Sequence, residues 1–159
     1  MQTLHELMNI MPQYGRVEWI GLRPARNKVM ASVTTASAIA EQGLAGDRYR
    51  SIGGKRQVTL IQAEHLDTIK SILKNPSLTA ATLRRNIVVN GLNLLALKDK
   101  EFTVGGVRMI YTGLCHPCSR METALGPGGY NAMRGHGGIN AKILSSGSIS
   151  VGDDVYITT

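Results

Sequence analysis

Aromatic residues are scarce in this 159-residue chain: one Trp, one Phe and five Tyr make up 4% of it. So few π-faces weigh against binding of single-stranded nucleic acid by base stacking. Cysteine is limited to Cys115 and Cys118. Three positions apart, they cannot staple distant parts of the chain, so a disulfide scaffold is excluded and reduced, chemically used thiols are expected. Long apolar runs are missing too. The longest stretches free of charge, 29–40 and 86–97, hold 12 residues each, too short and too polar to span a bilayer. The opening MQTLHELMNIMP has no basic start and carries Glu6 and Pro12, unlike a secretory signal. A soluble, cytoplasmic protein without membrane contact is expected.

Acidic residues are also in deficit, 11 against 18 Lys and Arg, for a net charge of +7. The excess lies in the first two-thirds: residues 1–100 hold 14 bases and 7 acids, residues 101–159 hold 4 of each. A basic surface of this kind suits an anionic partner such as a phosphate ester, or stands as ordinary solvated charge. Apolar residues, at 43%, suffice for a core, and the length suits one domain spanning residues 1–159.

Hydrophobic spacing predicts a short helix around Leu4–Met11, strands at Val17–Gly21, Lys28–Thr35 and Gln57–Ile61, and a helix over Ala63–Leu73 with Leu66, Ile69, Ile72 and Leu73 on one face. A helical turn at Thr79–Arg84 precedes a strand at Asn86–Val89. Glu101–Val104 and Val107–Thr112 flank Gly105-Gly106 as a hairpin, a helix follows around Pro117–Leu125, and strands close the chain near Ile139–Leu144 and Val155–Ile157. Short strands with frequent turns and few helices predict a mainly β fold, a mostly antiparallel barrel with peripheral short helices.

The run Cys115-His116-Pro117-Cys118-Ser119-Arg120-Met121-Glu122 is the strongest chemical signal. Pro117 suits a first helical turn, and Ser119 with Glu122 has capping-box spacing. Both place Cys118 at a helix start, where unpaired N–H groups favour thiolate, with His116 and Arg120 adding positive charge. The alternative is a pair of small buried hydrophobes. A thioredoxin-like centre would follow a βαβ pattern, zinc would require further ligands, and haem attachment would require His directly after the second Cys. What remains is a nucleophilic or carrier thiol, or a thiolate ligand to a transition metal.

Residues 126–138, with six glycines in thirteen positions, match neither a nucleotide-binding Walker loop nor a dinucleotide fingerprint. They form either an anion-binding backbone segment assisted by Arg134 and His136 or a plain crossing loop. Asp47-Arg48 and Arg84-x-Asn86 are, alone, compatible with ordinary turns and surface ion pairs. His5 and His65 are assigned no role.

Together, Gly46-Asp47-Arg48, Arg84-x-Asn86-Ile87, Pro117-Cys118 with Glu122, Gly135-His136-Gly137-Gly138-Ile139 and Gly152-Asp153 resemble the ordered motifs of the MOSC family, named for the C-terminal domain of molybdenum-cofactor sulfurase. The resemblance runs from about Gly43 to Val155. It implies a β-barrel-like fold and a functional cysteine, here Cys118, that carries sulfur as a persulfide or ligates molybdenum of a bound molybdopterin. Cys115 is a second candidate thiol. Arg48, Arg84, Asn86, Arg120, Arg134, His136 and Gly137 are the expected contacts to the anionic pterin or its phosphate. Larger relatives carry a fused desulfurase dependent on pyridoxal phosphate, for which this chain has no room. The sulfur donor, a cysteine desulfurase, or an electron donor is therefore expected to be a separate protein, and no bound pyridoxal phosphate, zinc or nucleotide is expected. Three functions follow: a sulfur carrier for metal-cofactor assembly, a molybdenum-cofactor oxidoreductase reducing N-hydroxylated compounds, or a basic binding module for nucleic acid or an acidic protein.

Overall fold

A computed structural model describes residues 1–49 and 51–158. The strands are β1 (Gly15–Leu22), β2 (Ala31–Val33), β3 (Thr35–Ile39), β4 (Gly43–Leu44), β5 (Val58–Gln62), β6 (Ile87–Asn90), β7 (Glu101–Val104), β8 (Val107–Leu114), β9 (Ile139–Ile143), β10 (Gly147–Ser150) and β11 (Asp154–Ile157). The helices are α1 (Leu4–Leu7), α2 (Ala63–Leu73), α3 (Ala80–Leu83), α4 (Ser119–Leu125) and α5 (Gly129–Met133).

Seven strands close into a barrel in the order β1-β11-β7-β8-β9-β5-β6 and back to β1. Every neighbouring pair is antiparallel except β5 and β6, which run parallel and are connected through α2 and α3. Closure leaves no free edge in the ring. Strand β2 adds to β1, while β3, β4 and β10 form a small separate sheet.

The barrel interior is almost wholly aliphatic, as the shortage of aromatics requires. Val17, Ile20, Leu60, Ile87, Val89, Val104, Met109, Ile139 and Ile143 fill it around Phe102, the chain's single Phe. A second core lies outside one wall, where Ile61 and Val88 meet Leu66, Ile69, Leu83, Met121 and Met133 from the helices. Strand β5 is covered on both faces, which is why all five of its residues are buried and its sequence shows no clean alternation.

Helix α2 spans the expected residues, but it ends at Lys74 in the left-handed conformation, φ 51°, and Ile72 is exposed rather than part of the buried face. The N-terminal helix is one turn, held by a Thr3–Glu6 capping box. Met11 packs on the barrel core instead of continuing it. The expected strand at 28–35 breaks at Thr34, giving β2 and β3. Strand β10, and helix α5 within the glycine-rich segment, were not expected, because Gly-rich sequence argues against both. Among the described residues, no helix is long and apolar enough to cross a membrane.

Candidate functional site

Strand β1 delivers Arg23 one residue beyond its end, facing Asp47 in the turn after β4. Asp47 is fully buried. Its Oδ1 accepts from the Arg23 backbone N–H (2.8 Å), Arg23 Nε (3.1 Å) and Asn86 Nδ2 (3.2 Å), and Oδ2 accepts from Arg23 Nη2 (2.8 Å). Burial alone would raise the Asp47 carboxyl, but the bonds and charge of Arg23 and the bond from Asn86 outweigh it and hold the carboxyl below its ordinary value. Asn86 is itself buried. It donates to Gly21 O (3.0 Å) and accepts from Thr59 N (3.1 Å) and Thr59 Oγ1 (3.2 Å). The Asp47 and Asn86 motifs therefore clamp three segments together beneath the site and fix the Arg23 guanidinium.

The thiols sit between β8 and α4. Cys118 is the N-cap residue of α4, exposed and in extended conformation, with no side-chain capping bond. Ser119 is thus inside the helix. The carboxylate of Glu122 turns away from a capping box to accept from the N–H groups of Gly128 and Tyr130, each at 3.2 Å. The anion that this part of the glycine-rich segment binds is the chain's own Glu122.

Cys115 is partly buried and locked by its backbone. Its N–H donates to Gly138 O (2.8 Å). Its carbonyl accepts from Arg85 Nη2 (3.4 Å), while Arg85 Nε donates to Gly137 O (2.7 Å) and Nη1 to Leu83 O (2.8 Å). Gly137 is a steric necessity: a Cβ there would stand 2.2 Å from the Cys115 carbonyl oxygen. Arg85 is only 7% exposed, and it makes no ion pair among the described residues, only bonds to carbonyls.

These parts meet in one cleft of about 510 Å³, lined by Arg23, Arg48, Tyr49, Ser51, Arg56, Thr59, Arg85, Cys115, His116, Cys118, Arg120 and Asn140. Of the residues singled out from sequence, Arg48, Cys115, His116, Cys118 and Arg120 line it. Asn86 lies beneath it and Gly137 behind Cys115. Arg84 is turned aside, donating from Nη1 to Lys28 O (2.5 Å) and from Nη2 to Ala25 O (3.1 Å). Burial, then the charges of Arg23, Arg48 and Arg120, lower its guanidinium below the usual range, so it adds to the positive field without lining the cleft. Its left-handed backbone, φ 57°, sends Arg84 and Arg85 to different places.

Arg134 is exposed, with its Nη1 3.5 Å from Asn131 Oδ1. His136 bonds Ala132 O through Nδ1 (3.1 Å) and packs edge-on against His65, ring centroids 5.2 Å apart. Burial, and then the charge of His136, lower His65 from its ordinary 6.5, against Glu64, which raises it. Neutral His65 is thus favoured in the fold, and its protonation as pH falls below about 6.5 costs stability. A His65→Gln variant is expected to flatten that part of the profile, read as Tm between about pH 7 and 5.

Arg23, Tyr49, Ser51, Arg56, Thr59, Arg85 and Asn140 are the cleft residues that sequence reasoning missed. Arg23 and Arg56 stood only within a basic stretch. Arg85 was hidden beside Arg84, and Asn140 inside a strand. Among the described residues, no three His, Cys, Asp or Glu side chains converge as a metal site.

A closed seven-stranded barrel carrying a Cys-x-x-Cys segment beside an arginine-lined cleft defines a small β-barrel domain. The sequence profile of the MOSC domain matches residues 46–156, and the chain belongs to that family. Its fold is similar to the YuaD protein from Bacillus subtilis, with a TM-score of 0.79 at 16% identity over 93% of this chain and 98% of that one. It is similar also to YiiM from Geobacillus stearothermophilus, TM-score 0.74 at 16% identity over 91% of this chain and 75% of that one. For YiiM from Escherichia coli the TM-score is 0.69, again at 16% identity, over 91% and 70%. A search of curated proteins finds no match.

Proposed function

We propose that this MOSC protein binds the phosphorylated pterin of the molybdenum cofactor in the cleft, with Cys118 as the thiolate presented to the metal. The observation that carries the reading is the lining: five arginines and two thiols around one cavity, with no carboxylate among the described lining residues. A phosphate monoester bears close to two negative charges at neutral pH and favours guanidinium forks. Arg48, Arg56 and Arg120 would hold that end, while Arg23 is kept in place by Asp47. A persulfide alone requires a thiol and a few donors, and it leaves so large a basic cleft unexplained. Bound there, the cofactor would supply a redox-active metal, suited to reducing N-hydroxylated compounds with electrons from a separate donor protein.

Metal and pterin analysis of protein isolated from a host that makes the cofactor is the test. Molybdenum and pterin in comparable amounts are expected, with Cys118→Ser losing the metal and Cys115→Ser retaining it. Protein with neither, and unable to acquire either from a cofactor-loaded extract, overturns the reading.

The exposure of Cys118, with a second thiol in the same cleft, favours one other function, that of a sulfur carrier. The Cys118 thiolate attacks the outer sulfur of a desulfurase persulfide. The donor's S–S bond breaks, its thiolate leaves, and Cys118 holds the new persulfide. Mass spectrometry after incubation with a cysteine desulfurase and cysteine would show one added sulfur atom on Cys118, and its absence removes this function.

A further inference from the structure

Among the described residues, two apolar features away from the cleft are left uncovered within one copy of the chain. The first is the N-terminal helix. Leu4, Leu7 and Met8 have the i, i+3, i+4 spacing of a helix that seats in a groove, yet none of the residues of α1 is buried. Leu4 is 80% exposed, Leu7 47% and Met8 60%. The Thr3–Glu6 capping box closes the turn, while Asn9, bonded by Lys100 Nζ (2.9 Å), and Met11 tie its far end to the barrel. A single helical turn is marginal in water and draws its stability from packing an amphipathic face. The second feature is a groove of about 380 Å³ on the outer wall, with Trp19, Met30, Leu66, Leu78 and Val88 in its lining. Gly21 shapes its floor: a Cβ there would run into the Trp19 ring, which lies along its own strand beside Met30. The groove shares no described lining residue with the cleft.

We infer that two copies of the chain pair by reciprocal exchange, the Leu4, Leu7 and Met8 face of each N-terminal helix seating in the Trp19 groove of the other. Area favours exchange over a single contact. A standard interface gives about 800 Å² to 20–30 residues a side, so one segment of about ten residues buries roughly 600 Å² in total, and two reach the about 1,200 Å² at which specific interfaces begin. A two-fold pair also closes, leaving neither helix nor groove open. The net charge of +7 on each copy opposes pairing, so an apolar contact should tighten as salt screens that repulsion. An acidic partner protein held by charge in the same groove would instead be released by salt. The inference does not depend on the cofactor reading.

Analytical ultracentrifugation of the full chain tests it. A reversible equilibrium between the 17.2 kDa chain and its dimer is expected, with a Kd of about 1–100 μM that falls as salt rises. Emission from Trp19, the chain's single Trp, should move to the blue as the dimer forms. Leu7→Asp on the helix and Ser32→Arg on the groove rim each change an exposed side chain. Each should keep the monomer's Tm within about 2 °C and weaken the dimer about tenfold or more. Mixing the two variants should restore part of the association, because the intact helix of one fits the intact groove of the other. A parent that stays monomeric up to about 1 mM, a dimer that loosens with salt, a dimer that survives either substitution, or a mixture no tighter than the variants alone overturns the inference. The first two of these measurements do not depend on a variant folding.

Discussion

Asp47→Ala is expected to lower stability by about 3–5 kcal/mol, because it removes one partner of a buried ion pair and strands the other. Three donors of Arg23 and the Nδ2 of Asn86 point at the lost carboxylate, and no water reaches a residue with no exposed surface. In a domain of this size the fall in Tm should be about 6–20 °C. Asp47→Asn keeps the shape but not the charge, and should lie between the variant and the parent. A second readout separates charge from packing. The Asp47 carboxyl is held below its ordinary 3.8, so its contribution is complete above that pH and is lost as the pH falls toward the folded value. Acid unfolding should therefore be less steep in Asp47→Asn than in the parent. An unchanged acid limb would show that Arg23 and Asp47 do not act as a pair. Released from Asp47, Arg23 is also expected to hold anions poorly, so phosphate affinity should drop with stability.

Gly137→Ala should also have a large effect, and through a different cause. Gly137 does not have a left-handed backbone, so the penalty is steric. The new methyl would overlap the Cys115 carbonyl oxygen, a backbone atom that has no side-chain rotamer to yield. Either the Cys115 segment moves outward or the turn before β9 does. Each breaks the tie from Arg85 to the carbonyls of Gly137 and Cys115, at a cost of about 1–3 kcal/mol from overpacking. Cys115, now partly buried, should react faster with a thiol reagent, while Cys118 on the helix side should change less. Equal reaction rates of Cys115 in the variant and the parent would mean that the segment does not rest on Gly137.

The glycine-rich stretch shows how a motif can be legible while its role is not. Its glycines do allow close backbone approach, but what approaches is the Cys115 carbonyl and the Glu122 carboxylate of the same chain. Spacing along a sequence shows that a position tolerates contact without showing with what. Likewise Arg84 was visible beside Asn86, and Arg85 was the one that reached the cleft. A single left-handed residue at the end of α3 reverses which neighbour faces where, and nothing in the identities of two adjacent arginines reveals that turn.

Several features were decided locally. Helix α2, the β7–β8 hairpin and most strands of the barrel follow from apolar periodicity and turn residues, which act over a few neighbouring positions; Cys118 does stand at a helix start, but as its N-cap, with Pro117 before the helix rather than in its first turn. The mainly β character follows in the same way. Ring closure, the parallel β5–β6 pair and the gathering of Arg23, Arg56 and Arg120 around the thiols depend on residues tens of positions apart in the chain. They are settled only when the barrel closes and two cores are packed, because burial and hydrogen-bond partners are properties of that packing and not of any segment alone.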